Sequence, residues 1–122
     1  MATYYLAPSG DDGGDGSYGS PWLTFVHAFS VMSAADELIL RDGVYTTVTN
    51  GGISDSAGEM PPDGISKSSM TKITAETRGQ VYVQKRLRLG SSSTRVSYIK
   101  IDGIVFKSIS DSASGGDLYN CI

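Results

Sequence analysis

The sequence predicts an all-β fold in which short strands stack as a solenoid behind one N-terminal capping α-helix. Apolar residues recur two apart in the pairs Leu38/Leu40, Ile73/Ala75, Val81/Val83, Leu87/Leu89, Ile99/Ile101 and Ile104/Phe106. That spacing places both members of each pair on one side of an extended strand. Between the pairs lie Asp42-Gly43, Arg78-Gly79, Gly90-Ser91-Ser92-Ser93 and Asp102-Gly103, all turn chemistry, and no long helical period follows the first helix. A hairpin meander would satisfy these two observations. The third favours stacked coils: Leu38–Tyr45 and Tyr98–Phe106 each read as an apolar strand, an Asp-Gly corner and a second apolar strand.

Taken in order, Ala2 to Ala7 form a short strand, and Pro8 to Gly19 form a loop dense in Gly, Asp and Ser. Ser20 is the expected N-cap and Pro21 the first helical residue of a helix over about 21–33. Trp22, Phe25, Val26 and Phe29 recur at one-face helical spacing. Trp22, Phe25 and Phe29 are therefore expected to form the structural cap, each burial worth roughly 1.5–3 kcal/mol. The cap takes residues 1–36 of a single domain, 1–122, and about three coils take 37–122. A long loop rich in Gly, Ser, Asp and Pro interrupts the first coil at 49–71, carrying Gly51-Gly52 and Pro61-Pro62-Asp63-Gly64. The intervals between Ile39, Ile73, Ile99 and Ile122 shrink toward a solenoid repeat. Leu118 to Ile122 begin another strand, so the expectation is either continuation past Ile122 or a homo-oligomer joined through an open C-terminal coil.

The chain has 122 residues, 39% of them hydrophobic, enough for one small core. No secretory leader and no apolar run of membrane-spanning length is present, so no membrane partner is expected. The lone Cys121 excludes an intrachain disulfide and a multi-cysteine zinc site. The net charge of −3 conceals a segregation. Up to Ser66 there are nine acidic residues and only Arg41 as a base; from Lys67 to Lys107 there are nine bases and only Glu76 and Asp102 as acids. Such a distribution either marks a surface for a polyanion or lets successive coils neutralise one another.

Tyr4-Tyr5-Leu6-Ala7-Pro8-Ser9-Gly10-Asp11-Asp12, then Ser20-Pro21-Trp22, then Leu38–Tyr45 resemble the opening of right-handed parallel β-helix proteins. These form the pectate-lyase-like group of polysaccharide lyases, glycoside hydrolases and phage tailspikes. The resemblance implies a right-handed parallel β-helix fragment, an extracellular or virion-associated setting, and the N-terminal part of a protein that binds or depolymerises an acidic polysaccharide. It carries over no catalytic residue, because the working Lys, Arg or Asp of that group lie on later coils, so no complete active site is expected here. The alternative it leaves open is a non-catalytic structural or self-associating module, such as a tailspike or adhesin shaft.

The local chemistry offers several candidates. Asp11, Asp12 and Asp15, interleaved with Gly13, Gly14 and Gly16, could take Ca²⁺, although an EF-hand pattern fails because Gly13 and Trp22 occupy two of its ligand positions; a solvated turn explains the same residues. No other cofactor is expected. His27, the sole histidine, has no nucleophile motif around it and reads as structural. Lys85, Arg86 and Arg88 flank Leu87 and Leu89, which would aim Arg86 and Arg88 outward together. Cations of this kind can stabilise the enolate formed in β-elimination of a uronate and serve as its base, and a solvated basic face has the same pattern. Tyr4, Tyr5, Tyr45, Tyr82 and Tyr98 either stack on sugars or pack with a polar tip exposed. Polysaccharide is the expected partner; nucleic acid is not.

Overall fold

The alternation read from the sequence is realised in the computed structural model, which describes residues 2–54, 58–85, 87, 97–107 and 118–120. Among them are one helix, α1 (Phe25–Val31), and eight strands: β1 (Thr3–Leu6), β2 (Glu37–Leu40), β3 (Gly43–Tyr45), β4 (Thr71–Ala75), β5 (Val81–Val83), β6 (Ile99–Asp102), β7 (Ile104–Lys107) and β8 (Leu118–Asn120). They form two four-stranded sheets, ordered β1-β2-β4-β6 and β3-β5-β7-β8. From β2 to β7 the chain alternates between the sheets, and each strand lies parallel beside the preceding strand of its own sheet. No barrel closes.

The register explains the core. Leu38, Ile73 and Ile101 stand opposite one another on β2, β4 and β6, and Leu40 stands opposite Leu6 and Ala75. In the second sheet Tyr45, Val83 and Phe106 form one row, and Val81 faces Ile104. These rows form one buried cluster, with Ala75 and Ile99 partly buried against it, so the apolar pairs of β2, β4, β5, β6 and β7 turn inward, as the period of two requires. The register also corrects the isoleucine spacing. Ile39 pairs with Thr74, Ile73 with Leu38, and Ile99 with Thr71, so Ile39, Ile73 and Ile99 are not equivalent coil positions. Leu87 packs partly against the core; Leu89 lies outside the described residues.

Both copies of the Asp-Gly corner run from the first sheet into the second. Gly43 and Gly103 have φ of 137° and 78°, backbone that side chains with a Cβ avoid. A Cβ on Gly43 would also sit 2.7 Å from Pro8 Cγ.

The N-terminal end differs from expectation in an informative way. Helix α1 starts at Phe25, and its N-cap is Thr24, whose side chain accepts from His27 N. Ser20 instead forms an antiparallel bridge with Ser17. The cause is Asp12, whose carboxylate accepts from Leu23 N at 2.8 Å, Thr24 N at 3.0 Å and Thr24 Oγ1 at 2.7 Å, which fixes Thr24 rather than Ser20 at the start of the turn. Trp22 therefore precedes the helix and bridges Leu6 in parallel. The outer edge of β1 is occupied by this loop: Tyr5 N donates to Gly16 O, Trp22 N to Tyr5 O and Ala7 N to Trp22 O.

Trp22, Phe25 and Phe29 are all buried, as are Ala28 and Met32. Val26 is 43% exposed, because the shortened helix turns Phe25, Ala28 and Phe29 inward instead. Phe25 contacts Phe29 and Tyr45 at ring separations of 6.0 and 5.8 Å. Buried Asn50 fastens the 49–71 loop to this end, accepting from Thr46 N and donating to Pro8 O and Leu23 O. At the other end, β8 pairs antiparallel with β7, where the sequence reading expected the first strand of another parallel coil. Cys121 and Ile122 lie outside the described residues.

Candidate functional site

The outward rows of the first sheet carry the chemistry. Thr3, Glu37, Lys72 and Lys100 stand opposite one another across β1, β2, β4 and β6. A third lysine comes from the turn before β4, where Ser66 and Ser69 form an antiparallel bridge and leave Lys67 and Ser68 at the tip. Lys67, Ser68, Met70, Lys72, Ile99 and Lys100 line a groove of about 480 Å³, within the size range of ligand sites. Met70 and Ile99 supply apolar wall, and Ser68 a hydroxyl. Beside Ile99, Tyr98 sits in left-handed backbone at φ 57°, its carbonyl accepting from Thr71 N at 3.0 Å and 44% of its surface exposed.

Like charges directly opposite on neighbouring strands repel, and adjacent strands are only ~4.8 Å apart. The ion pairs among the described residues are Arg41–Glu76, Arg78–Asp102 and Lys85–Glu59; none involves Lys67, Lys72 or Lys100. Glu37 adjoins Lys72 in the row, but its Oε2 accepts from Thr74 Oγ1 at 3.0 Å. The groove thus gathers three cations without a salt-bridged acid, an arrangement suited to holding an anion.

The basic strip expected at Lys85, Arg86 and Arg88 fares differently. Lys85 is not a free surface cation. Its ammonium donates to Glu59, a buried acid of the 49–71 loop. Gly52 N and Ser54 Oγ donate to the same carboxylate at 3.1 and 2.7 Å. Burial by itself would raise the Glu59 carboxyl, yet the hydrogen bonds from Lys85, Ser54 and Gly52 leave it below the ordinary carboxylate range. Gly51 and Gly52 make room for the pair, since a Cβ on Gly51 would lie 2.6 Å from Glu59 Oε2 and one on Gly52 2.8 Å from Lys85 Cβ. Arg86 and Arg88 lie outside the described residues.

The acidic turn does not converge on a cation site. Asp11 Oδ1 accepts from Gly13 N at 2.8 Å, Asp15 Oδ1 accepts from Ser17 N at 3.0 Å, and Asp12 braces the helix start. No metal-holding group of carboxylates, histidine or cysteine occurs among the described residues. Asp11 and Asp15 accept from N–H groups two residues on, as in a turn, whereas Asp12 is engaged by Leu23 and Thr24. For Asp12, burial raises the carboxyl, but the hydrogen bonds from Thr24 and Leu23 bring it below the ordinary value.

His27 packs edge-on against Trp22 at 4.9 Å, and the Trp22 indole N–H donates to Gly14 O at 2.9 Å. Tyr4 stacks on Trp22 and Tyr5 meets Tyr18 edge-on, while Tyr45 is wholly buried. Of the five tyrosines singled out in the sequence, only Tyr82 and Tyr98 are exposed.

The lysine groove was not singled out in the sequence, although a signal for it is there. Glu37-Leu38, Lys72-Ile73 and Lys100-Ile101 repeat one polar residue before one core residue; aligning the core residues aligns the two lysines.

No family model matches this sequence, and no curated protein matches it. A solved structure described as the complex of XylC with xylose is similar over 73% of this chain, with 26% identity and a TM-score of 0.49. The chain spans 14% of the length of that protein, a likeness too slight to carry an argument. No helix among the described residues is long and apolar enough to cross a membrane.

Proposed function

We propose that this chain is the opening of a right-handed parallel β-helix that binds an acidic polysaccharide in the groove of Lys67, Lys72 and Lys100. The strictly sequential strand orders and the alternation between two sheets support the β-helix reading, because each turn of such a solenoid contributes one strand to each sheet. The observation that carries the binding reading is the set of three lysines around one groove, none of them in an ion pair among the described residues. Chain elongation perpendicular to the strands would bring successive acidic groups past Lys72 and Lys100 on adjacent strands. Among the described residues the lining offers cations, a hydroxyl and apolar wall, so it is suited to holding a polyanion.

The test is a binding series with acidic polysaccharides, a neutral glucan and added salt. Acidic chains should bind and weaken as salt screens the exposed lysines, over ~10 Å at 0.1 M. The Lys72→Gln/Lys100→Gln double variant should lose that binding. Equal binding by variant and wild type, or of glucan and acidic chains, would overturn the reading.

A further inference from the structure

We infer that Tyr98 is a sugar-contacting residue of this site, stacking its ring on a pyranose while Lys67, Lys72 and Lys100 hold the acidic groups, an inference that rests on the polysaccharide reading above. Among the described residues, Ala35 and Tyr98 are the non-glycine residues with positive φ, at 69° and 57°. Ala35 is accounted for by its surroundings. It is 5% exposed and lies in a turn closed by Asp36 N donating to Ser33 O, with its own N–H donating to Thr71 Oγ1 at 2.9 Å. Tyr98 is bulky and 44% exposed. Glycine takes this conformation without the crowding that a Cβ brings, and a bulky residue there is an outlier. No ring among the described residues packs against that of Tyr98, so no aromatic partner offsets the strain.

The strained conformation is held from both sides. Ser97 N donates to Asp63 Oδ1 at 3.0 Å, Gly64 N to Ser97 O at 2.9 Å and Thr71 N to Tyr98 O at 3.0 Å. Gly64 lies so close that a Cβ on it would be 2.3 Å from Tyr98 O and 2.8 Å from Tyr98 Cβ. Strained backbone that its surroundings over-determine is concentrated at ligand clamps and active sites. Residues 63–71, which clamp Tyr98, also carry Lys67, Ser68 and Met70 of the groove, and Ile99 and Lys100 of the groove follow Tyr98 directly. Tyr98 thus stands where the two walls of the groove are fastened together. The lysines supply charge, which any polyanion satisfies. A tyrosine supplies an apolar face with a polar tip, matching the C–H face and rim hydroxyls of a sugar ring, so the two together distinguish an acidic sugar chain from another polymer of equal charge.

The experiment measures binding of polygalacturonate, hyaluronate and heparin, with poly-glutamate as the polyanion that has no sugar, at matched charge concentration. It compares the wild-type chain, Tyr98→Gly and Tyr98→Phe, with thermal melting of all three. Tyr98→Gly should bind the sugar chains at least about tenfold more weakly and bind poly-glutamate as wild type does. It should melt at or above the wild-type temperature, because glycine relieves the strain. Tyr98→Phe keeps the ring face and should keep most of the affinity for the sugar chains. A tyrosine with a merely structural role would give a lower melting temperature in Tyr98→Gly and equal weakening toward all four polymers, which would overturn the inference. If wild type binds the sugar chains and Tyr98→Gly binds them equally well, the inference fails while the polysaccharide reading stands. If wild type binds none of the three sugar chains, both fail. Tighter binding of single-stranded DNA than of any sugar chain would also overturn the inference, because bases stack on aromatic rings beside cations in the same way.

Discussion

The Lys85 ammonium donates a hydrogen bond to the Glu59 carboxylate, joining residues 26 apart in sequence and tying the 49–71 loop to the chain just beyond β5. Glu59 is 7% exposed, so the pair is shielded on one side and its partners are not interchangeable with water. Lys85→Ala should cost about 2 kcal/mol, the range for losing a hydrogen bond to a charged group, measured by urea unfolding at neutral pH. A cost near zero would mean that the loop is held by other contacts alone.

Glu59 also sets a pH dependence. Its folded carboxyl titrates below the ordinary value of 4.5, so its stabilising effect is complete above that value and is lost as the pH falls through the lower folded value. The stability difference between wild type and Glu59→Gln should therefore be larger at pH 7 than at pH 3. A difference independent of pH would contradict the assigned ionisation.

Asp12 should behave as a brace for the helix start. Asp12→Ala removes three hydrogen bonds to Leu23 and Thr24 and should cost about 1–2 kcal/mol, on the scale of a lost N-cap. Ser20→Ala should be close to neutral, because Thr24 and not Ser20 caps the helix. Denaturant unfolding of the two variants side by side checks both statements.

Phe25 is fully buried between Phe29 and Tyr45. Phe25→Ala should lose about 3–5 kcal/mol, nearly the whole stability of a small domain, whereas Val26→Ala on the exposed side should change stability by less than about 0.5 kcal/mol. Similar losses at the two positions would mean that α1 buries a different face.

Replacing Lys100 should not weaken the fold. Lys100→Gln removes a like charge opposite Lys72 and should leave stability unchanged or raise it by up to about 1 kcal/mol. Thermal melting at low salt measures this; a marked loss would mean that Lys100 has a stabilising partner.

Much of the architecture was legible because one period governs it. Leu38/Leu40, Ile73/Ala75 and Val81/Val83 alternate with polar neighbours and are strands, and the two Asp-Gly corners turn the chain between sheets at glycines with positive φ. The helix start was misplaced because Ser20-Pro21 is a good local cap, whereas the actual cap is imposed by Asp12 from 12 residues before Thr24, a non-local contact that no local pattern displays. Lys85 was read as free for the same reason, since Glu59 meets it only after the loop folds back. The groove lysines were visible singly but not as a group. Grouping them needed the register of β4 on β6, which follows only when Ile73 and Ile101 are set opposite each other. The direction of β8 was not legible either, because a short apolar strand carries no mark of parallel or antiparallel pairing.

The loop that occupies the outer edge of β1 gives the assembly a direction. Strand pairing in the first sheet follows chain order, β1 to β2 to β4 to β6, and the edge before β1 is already closed by Gly16, Trp22 and their neighbours. During synthesis, when the N-terminal part emerges first, the finished end is therefore made before the strands that stack upon it. Each later strand of this sheet then meets a template that is already in place, with one free side on which to add.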